Sequence, residues 1–209
     1  MPIINPYAPN LWSECNIGIF GGSFNPPHEG HLMVGQTVRK QLSLDHVWWV
    51  VSPQNPLKLS NQTADLSDRL GWCHDLTCHD PSQIPTDLEA RITNPPYYTS
   101  KFLSRLTAYF PLTNFVWVMG ADNLHNIHQW QDWRSIFMTL PIAVIARPPH
   151  RHHIKKSRAG GVFSRARLSA GNHRNLAKMD PPAWTFCSVR PIDISSTQLR
   201  ENHPSYKNK

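Results

Sequence analysis

The stretch GIFGGSFNPPHEGHL, residues 18–32, decides how the chain is read. It opens as an apolar run, passes two glycines, turns through Pro26 and Pro27, and then presents His28 and His31. A short apolar run that ends in Gly-Gly has the pattern of a buried strand. Leu32, Gly35, Val38 and Leu42 then recur at spacings of three and four, which marks one face of a helix expected over 29–43. Strand, tight turn and helix in direct succession are the opening unit of an α/β chain.

The alternation continues downstream. HVWWVVS is β-branched and aromatic and reads as a second strand. PQNPLKLSNQT reads as a loop, and a helix is expected over 67–77. DLEARI is read as a short strand, and PPYYT leads into a helix with Phe102, Leu103, Leu106 and Phe110 on its apolar face. NFVWVMGAD is a strand running into a glycine and an acid, WQDWRSIFMTL a helix, and PIAVIA and WTFCSV two more strands. SSTQLRE closes the pattern as a helix. Strands alternating with helices imply a three-layer α/β fold with a mainly parallel sheet. One domain is expected over 16–200, with a flexible arm at 1–15 and a loose tail at 201–209.

Composition narrows the function classes. The chain has 209 residues and a formal charge of +7, which suits an anionic partner. No segment approaches the roughly 18 apolar residues of a membrane span. MPIINPYAPNLWSEC has neither a basic n-region nor a long apolar run, so a signal peptide is not read there. A cytoplasmic protein with reduced thiols at Cys15, Cys73, Cys78 and Cys187 is the expectation. CHDLTCHD is not read as a zinc site, because Cys73 and Cys78 are five apart rather than two to four.

In open α/β sheets ligands bind beyond the carboxyl ends of the strands. The unusual residues of this chain fall there. After the first strand, Gly21 and Gly22 bring backbone amides to a helix N-terminus, where free N–H groups and the dipole attract anions. His28 and His31, three apart, add two imidazole donors for phosphate oxygens. A metal pair on a helix is more often spaced i, i+4, and no third ligand is evident. At the far end, Ser195 and Gln198 fit an S-x-x-Q capping box, and hydroxyls at a helix start also suit phosphate. Arg200 stands one turn further in and can make a charge-assisted fork.

GGSFNPPHEGH together with ISSTQLR resembles the HxGH and ISSTxxR signatures of the nucleotidylyltransferase superfamily. SPQNPLK, YYT, GADNLHNIHQWQDW and ARP narrow the likeness to the bacterial nicotinate-nucleotide adenylyltransferases, over about residues 16–200. The resemblance implies a Rossmann-like, doubly wound fold. It also implies a reaction in which the 5′-phosphate of nicotinate mononucleotide attacks the α-phosphorus of ATP in line. Deamido-NAD and pyrophosphate result, with Mg2+ carried by ATP, as a step in NAD biosynthesis.

By carry-over from that family, His28 and His31 contact the ATP phosphates, and Gly21, Gly22, Ser23 and Phe24 lie beneath the nucleotides. Ser195, Ser196 and Arg200 hold the β- and γ-phosphates, and Lys58 and Arg147 are further phosphate contacts. Thr99, Asp122 and Trp130 fall to the mononucleotide side; a helix N-cap is the rival reading for Thr99 and for Asp122. Trp117 is read as core, and no direct protein ligand to metal is assigned. Asn25 stands where the family often has Asp, and keeps a polar side chain suited to a turn.

Other readings stay open at this point. A sister enzyme using nicotinamide mononucleotide shares the same motifs. From Arg147 to Lys178 there are nine Lys or Arg and no acid, which admits a nucleic-acid-binding module. A solvated basic surface near an anionic site is preferred, and nucleic acid is not expected as a partner. Homo-oligomerisation is left open.

Overall fold

The computed structural model describes residues 5–53, 63–146, 157–169, 172–189 and 195–202. Six strands form one all-parallel sheet: β1 (Asn16–Gly22), β2 (His46–Val51), β3 (Gln83–Thr86), β4 (Asn114–Gly120), β5 (Ile142–Ala146) and β6 (Trp184–Ser188). Their order across the sheet is β3-β2-β1-β4-β5-β6. The helices are α1 (Glu29–Gln41), α2 (Leu66–Thr77), α3 (Leu88–Ile92), α4 (Thr99–Tyr109), α5 (Ala121–Asn126), α6 (Trp133–Thr139), α7 (Arg158–Val162) and α8 (Ser196–Asn202). The doubly wound α/β fold is as expected.

Both faces of the sheet are covered. Alternate residues of β1 face opposite ways: Ile17 and Ile19 join one core with α4, α5 and α6, while Phe20 joins the other with α1 and α2. Strands buried on both faces read as near-continuous apolar runs, which is why VWWVV, FVWVM and IAVIA were legible. The winding reverses between β1 and β4. The helix after β1 packs through Val34 and Val38 on one face, and the helix after β4 packs through Leu124 on the other.

Two segments differ from the sequence reading. The third strand is QIPT, and DLEARI forms the short helix α3 instead of a strand. β3 is an edge strand, so the missing N–H of Pro85 costs no ladder bond on its open side. The segment expected as a flexible arm is seated from Asn5 onward. Trp12 is buried edge-on against Trp48 at 5.1 Å, and the Tyr7 hydroxyl donates to Asp87. Arg91 pairs with the same carboxylate at 2.7 Å and lies over the Tyr7 ring at 4.4 Å. Burial raises the Asp87 carboxyl, but the bonds from Arg91 and Tyr7 outweigh it and hold the group below its ordinary value.

Glu89 is the opposite case. It is 8% exposed, and burial pushes its carboxyl up to about 7 from the ordinary 4.5. The folded state therefore holds a proton that the unfolded chain releases over that interval. The associated stability is fully present below about pH 4.5 and is lost as pH rises through about 7. We expect thermal melts from pH 4.5 to 8.5 to show wild type losing on the order of 2–3 kcal/mol relative to Glu89→Gln. Parallel curves for the two proteins would show that the carboxyl does not titrate this way.

Candidate active site

A cleft of about 700 Å³ opens where the winding reverses, beyond the carboxyl ends of β1 and β4. Its floor is Gly21 to Phe24, one wall is the start of α1 with His28 and His31, and the facing wall is the start of α5. Ser195 and Ser196 close one end.

The histidines are held by the helix they begin. His28 is the N-cap of α1, and its Nδ1 accepts from the Gly30 N–H at 3.1 Å. His31 Nδ1 accepts from the His28 N–H at 3.2 Å, so the two rings form a reciprocal capping box. Both Nδ1 atoms are thereby engaged with backbone N–H groups at the helix start. The ring centroids are 3.9 Å apart, close enough to address one phosphate group together.

Below them lies an aromatic support. Phe24 meets His31 edge-on at 5.3 Å and stacks on Trp49 at 5.2 Å. Trp49 is fixed in turn by its Nε1, which donates to the buried Gln83 side chain at 2.9 Å. Phe24 has φ of 45°, a left-handed conformation that costs a non-glycine residue roughly 1–2 kcal/mol. Its ring is 3% exposed, and the packing against Trp49 and His31 offsets that strain.

Packing gives the glycines a second reason beside the close backbone approach read from the sequence. Neither has positive φ; both belong to β1. A Cβ on Gly21 would fall well inside contact distance of Trp117 Cη2, and one on Gly22 would meet the Phe24 ring at 2.9 Å. Side chains of this protein thus fill the space on both faces of the strand end, Trp117 against Gly21 and Phe24 against Gly22.

The two ends of the chain do meet. Ser196 Oγ donates to the Pro26 carbonyl at 2.8 Å, and Arg200 Nη1 donates to the Asn25 carbonyl. The expected capping box is formed: the Gln198 N–H donates to Ser195 Oγ at 3.2 Å, and the Ser195 N–H to Gln198 Oε1 at 3.0 Å. Arg200 does not line the cleft. Its guanidinium donates to the Asn25 carbonyl and to Thr197 Oγ1 at 3.2 Å, which ties it to the turn after β1. Asn25 keeps the turn role expected of it, its Oδ1 accepting from the Ala64 N–H at 3.3 Å.

Asp122 is the second residue of α5 and caps nothing; it lines the cleft. His125 and Asn126 line it too, at i+3 and i+4 from Asp122 and so on one helix face. The sequence reading passed over both, although the spacing GADNLHN carried the signal. Thr99 and Trp130 are not in the cleft lining. Thr99 is the first residue of α4, whose N-cap is Tyr98, so Thr99 is not itself the cap. Trp130 precedes α6 rather than lying in it, and packs half-buried on the core. α4 packs against α6, so the two residues stand at neighbouring helix starts on the same edge of the sheet. Trp117 is core, as expected. Lys58 and Arg147 lie outside the described residues, as do residues 147–156 of the basic segment.

A family model described as cytidylyltransferase-like matches residues 19–202. A protein of Ruegeria sp. (strain TM1040) named "Probable nicotinate-nucleotide adenylyltransferase" is 40% identical over 88% of this chain and 96% of its own. One of Brucella suis biovar 1 (strain 1330) with the same name is 44% identical over 88% of this chain and 94% of its own. Among solved structures, Plasmodium falciparum nicotinic acid mononucleotide adenylyltransferase complexed with NaAD matches with TM-score 0.66. That alignment covers 90% of this chain and 83% of the other at 18% identity, which speaks to the fold alone.

The packing under the floor is testable. Gly21→Ala drives a methyl into the Trp117 ring, an overpacking expected to cost about 1–3 kcal/mol. Its melting temperature should fall, and Trp117→Phe in the same chain should return part of the loss. Additive losses in the double variant would show that the two residues do not press on each other.

Proposed function

Because the chain belongs to the nicotinate-nucleotide adenylyltransferases of the cytidylyltransferase-like family, we propose that it joins nicotinate mononucleotide and ATP to give deamido-NAD and pyrophosphate. The observation that carries this reading is the His28–His31 pair, two imidazoles at one helix start that line the cleft beside Gly21 and Gly22.

The chemistry asked of such a site is positioning and charge stabilisation. A phosphate oxygen of the mononucleotide attacks the α-phosphorus of ATP in line, and the bond to pyrophosphate breaks. Charge grows on the oxygens of the transferring group and of the leaving pyrophosphate. In this reading His28 and His31 donate to those oxygens from Nε2, and the start of α1 adds its dipole. Gly21, Gly22, Ser23 and Phe24 support the nucleotides, and Ser195 and Ser196 take the outer phosphates. Arg200 holds the Asn25 carbonyl and is proposed to reach the outer phosphates with its remaining N–H donors. Lys58 and Arg147 are proposed as further phosphate contacts.

Asp122, with His125 and Asn126 on the same face, suits ribose hydroxyls. Thr99 and Trp130 are proposed to receive the nicotinate ring and its carboxylate at the two neighbouring helix starts. Magnesium enters as part of the substrate, on the triphosphate. Among the described residues no three His, Cys, Asp or Glu converge on a metal position, and Asp122 is the one carboxylate of the cleft lining. That donor set suits an ion held mainly by phosphate and water.

The test is pyrophosphate release. Turnover is expected with ATP, magnesium and nicotinate mononucleotide together, and far less with nicotinamide mononucleotide or phosphopantetheine in its place. No turnover with any of them would sink the enzyme reading. His31→Ala should lower kcat on the order of a hundredfold. A wild-type kcat in that variant would remove this histidine from the phosphate role.

A further inference from the structure

Arg69 is a buried cation that the chemistry above does not use. It sits in α2, 1% exposed, and among the described residues no carboxylate forms an ion pair with it. Its guanidinium donates instead to four backbone carbonyls: Ala64, Ser23 and Ser52 at 2.8 Å each, and Pro53 at 3.0 Å. Taking a charge out of water is costly even with the Asp65 carboxylate close enough to favour it, and an apolar side chain would fill such a space at less cost. Burial lowers the guanidinium pKa from its ordinary value, yet a guanidinium stays protonated in proteins. The charge is kept for what it holds.

The four carbonyls come from three places. Ser23 belongs to the turn after β1, in the cleft floor. Ser52 and Pro53 follow β2, and Ala64 leads into α2. Ser52, Pro53 and Ala64 bracket the stretch that carries Lys58. One side chain thus ties the end of β2 and the approach to α2 to the turn after β1.

The Ser23 contact also sets a direction. The Ser23–Phe24 peptide is trans, so the Ser23 carbonyl and the Phe24 N–H point opposite ways. A carbonyl fixed on Arg69 turns the Phe24 N–H away from Arg69, and Phe24 is a cleft residue.

We propose that Arg69 is a positioning residue for adenylyl transfer. It aims the Phe24 N–H at the reacting phosphate. The proposal rests on the adenylyltransferase reading. Lysine cannot substitute, because one ammonium cannot reach carbonyls spread around three nitrogens of a planar fork. Loss of the fork leaves substrate-binding groups in place but loosens a donor that matters most in the transition state.

The experiment uses the full chain as Arg69→Lys and Arg69→Ala, with circular dichroism and melts beside pyrophosphate kinetics. Arg69→Lys is expected to fold, to keep each KM within about threefold, and to lose on the order of thirtyfold or more in kcat. Arg69→Ala is expected to regain part of its kcat in low-millimolar guanidinium chloride and none in ammonium chloride. Wild-type kcat in folded Arg69→Lys, a loss confined to KM, or equal response to the two salts overturns the proposal. Failure of both variants to fold overturns it as well, since Arg69 would then serve stability alone. No turnover by the wild type removes the adenylyltransferase reading and this proposal with it.

Discussion

A parallel sheet wound in both directions must open where the winding reverses. Here β1 and β4 are hydrogen-bonded neighbours, yet the chain leaves β1 toward one face and β4 toward the other. The starts of α1 and α5 are driven apart above the paired strands. Two helix N-termini, with their outward N–H groups, then face one crevice. Everything polar in the cleft is arranged around that gap: the two histidines on one rim, Asp122 with His125 on the other, and the serines of α8 at the end.

What keeps the crevice in shape is a set of contacts between segments distant in the chain. Ser196 and Arg200 grip the carbonyls of Pro26 and Asn25 across 170 and 175 residues. Arg69 grips Ser23 across 46. Each is a side-chain donor on a backbone carbonyl of the same short turn. The turn contains a strained Phe24, and such strain persists only where surroundings over-determine it. The Asp87–Arg91 pair, the ion pair among the described residues, lies away from the cleft and secures the N-terminal segment. The site itself is thus organised by hydrogen bonds to backbone and by aromatic packing.

The sequence was most legible where local chemistry and burial agree. Strands buried on both faces had to be apolar throughout, and five of the six were read from that alone. β3 was missed because QIPT has a proline and only four residues, and an edge position tolerates both. DLEARI was misread because Leu88 and Ile92 bury in a helix as readily as in a strand. Trp12 was placed in a flexible arm for want of periodicity, although a large aromatic among polar neighbours needed a place to bury.

By itself the sequence determined five of the six strands, the helices α1, α2 and α4, and the glycine- and proline-bearing turn with its two histidines. It also determined the capping box of the last helix. Those follow from periodicity, glycine and proline placement, and side-chain donors a few residues apart, all of which are local. Only the tertiary structure decided that Trp117 fills the space a Cβ on Gly21 would need, and that Arg200 holds the Asn25 carbonyl. The same holds for His125 joining the site and for Arg69 clamping three segments at once. Each depends on which distant residue arrives within a few ångströms, and that is set by how the sheet is wound and packed.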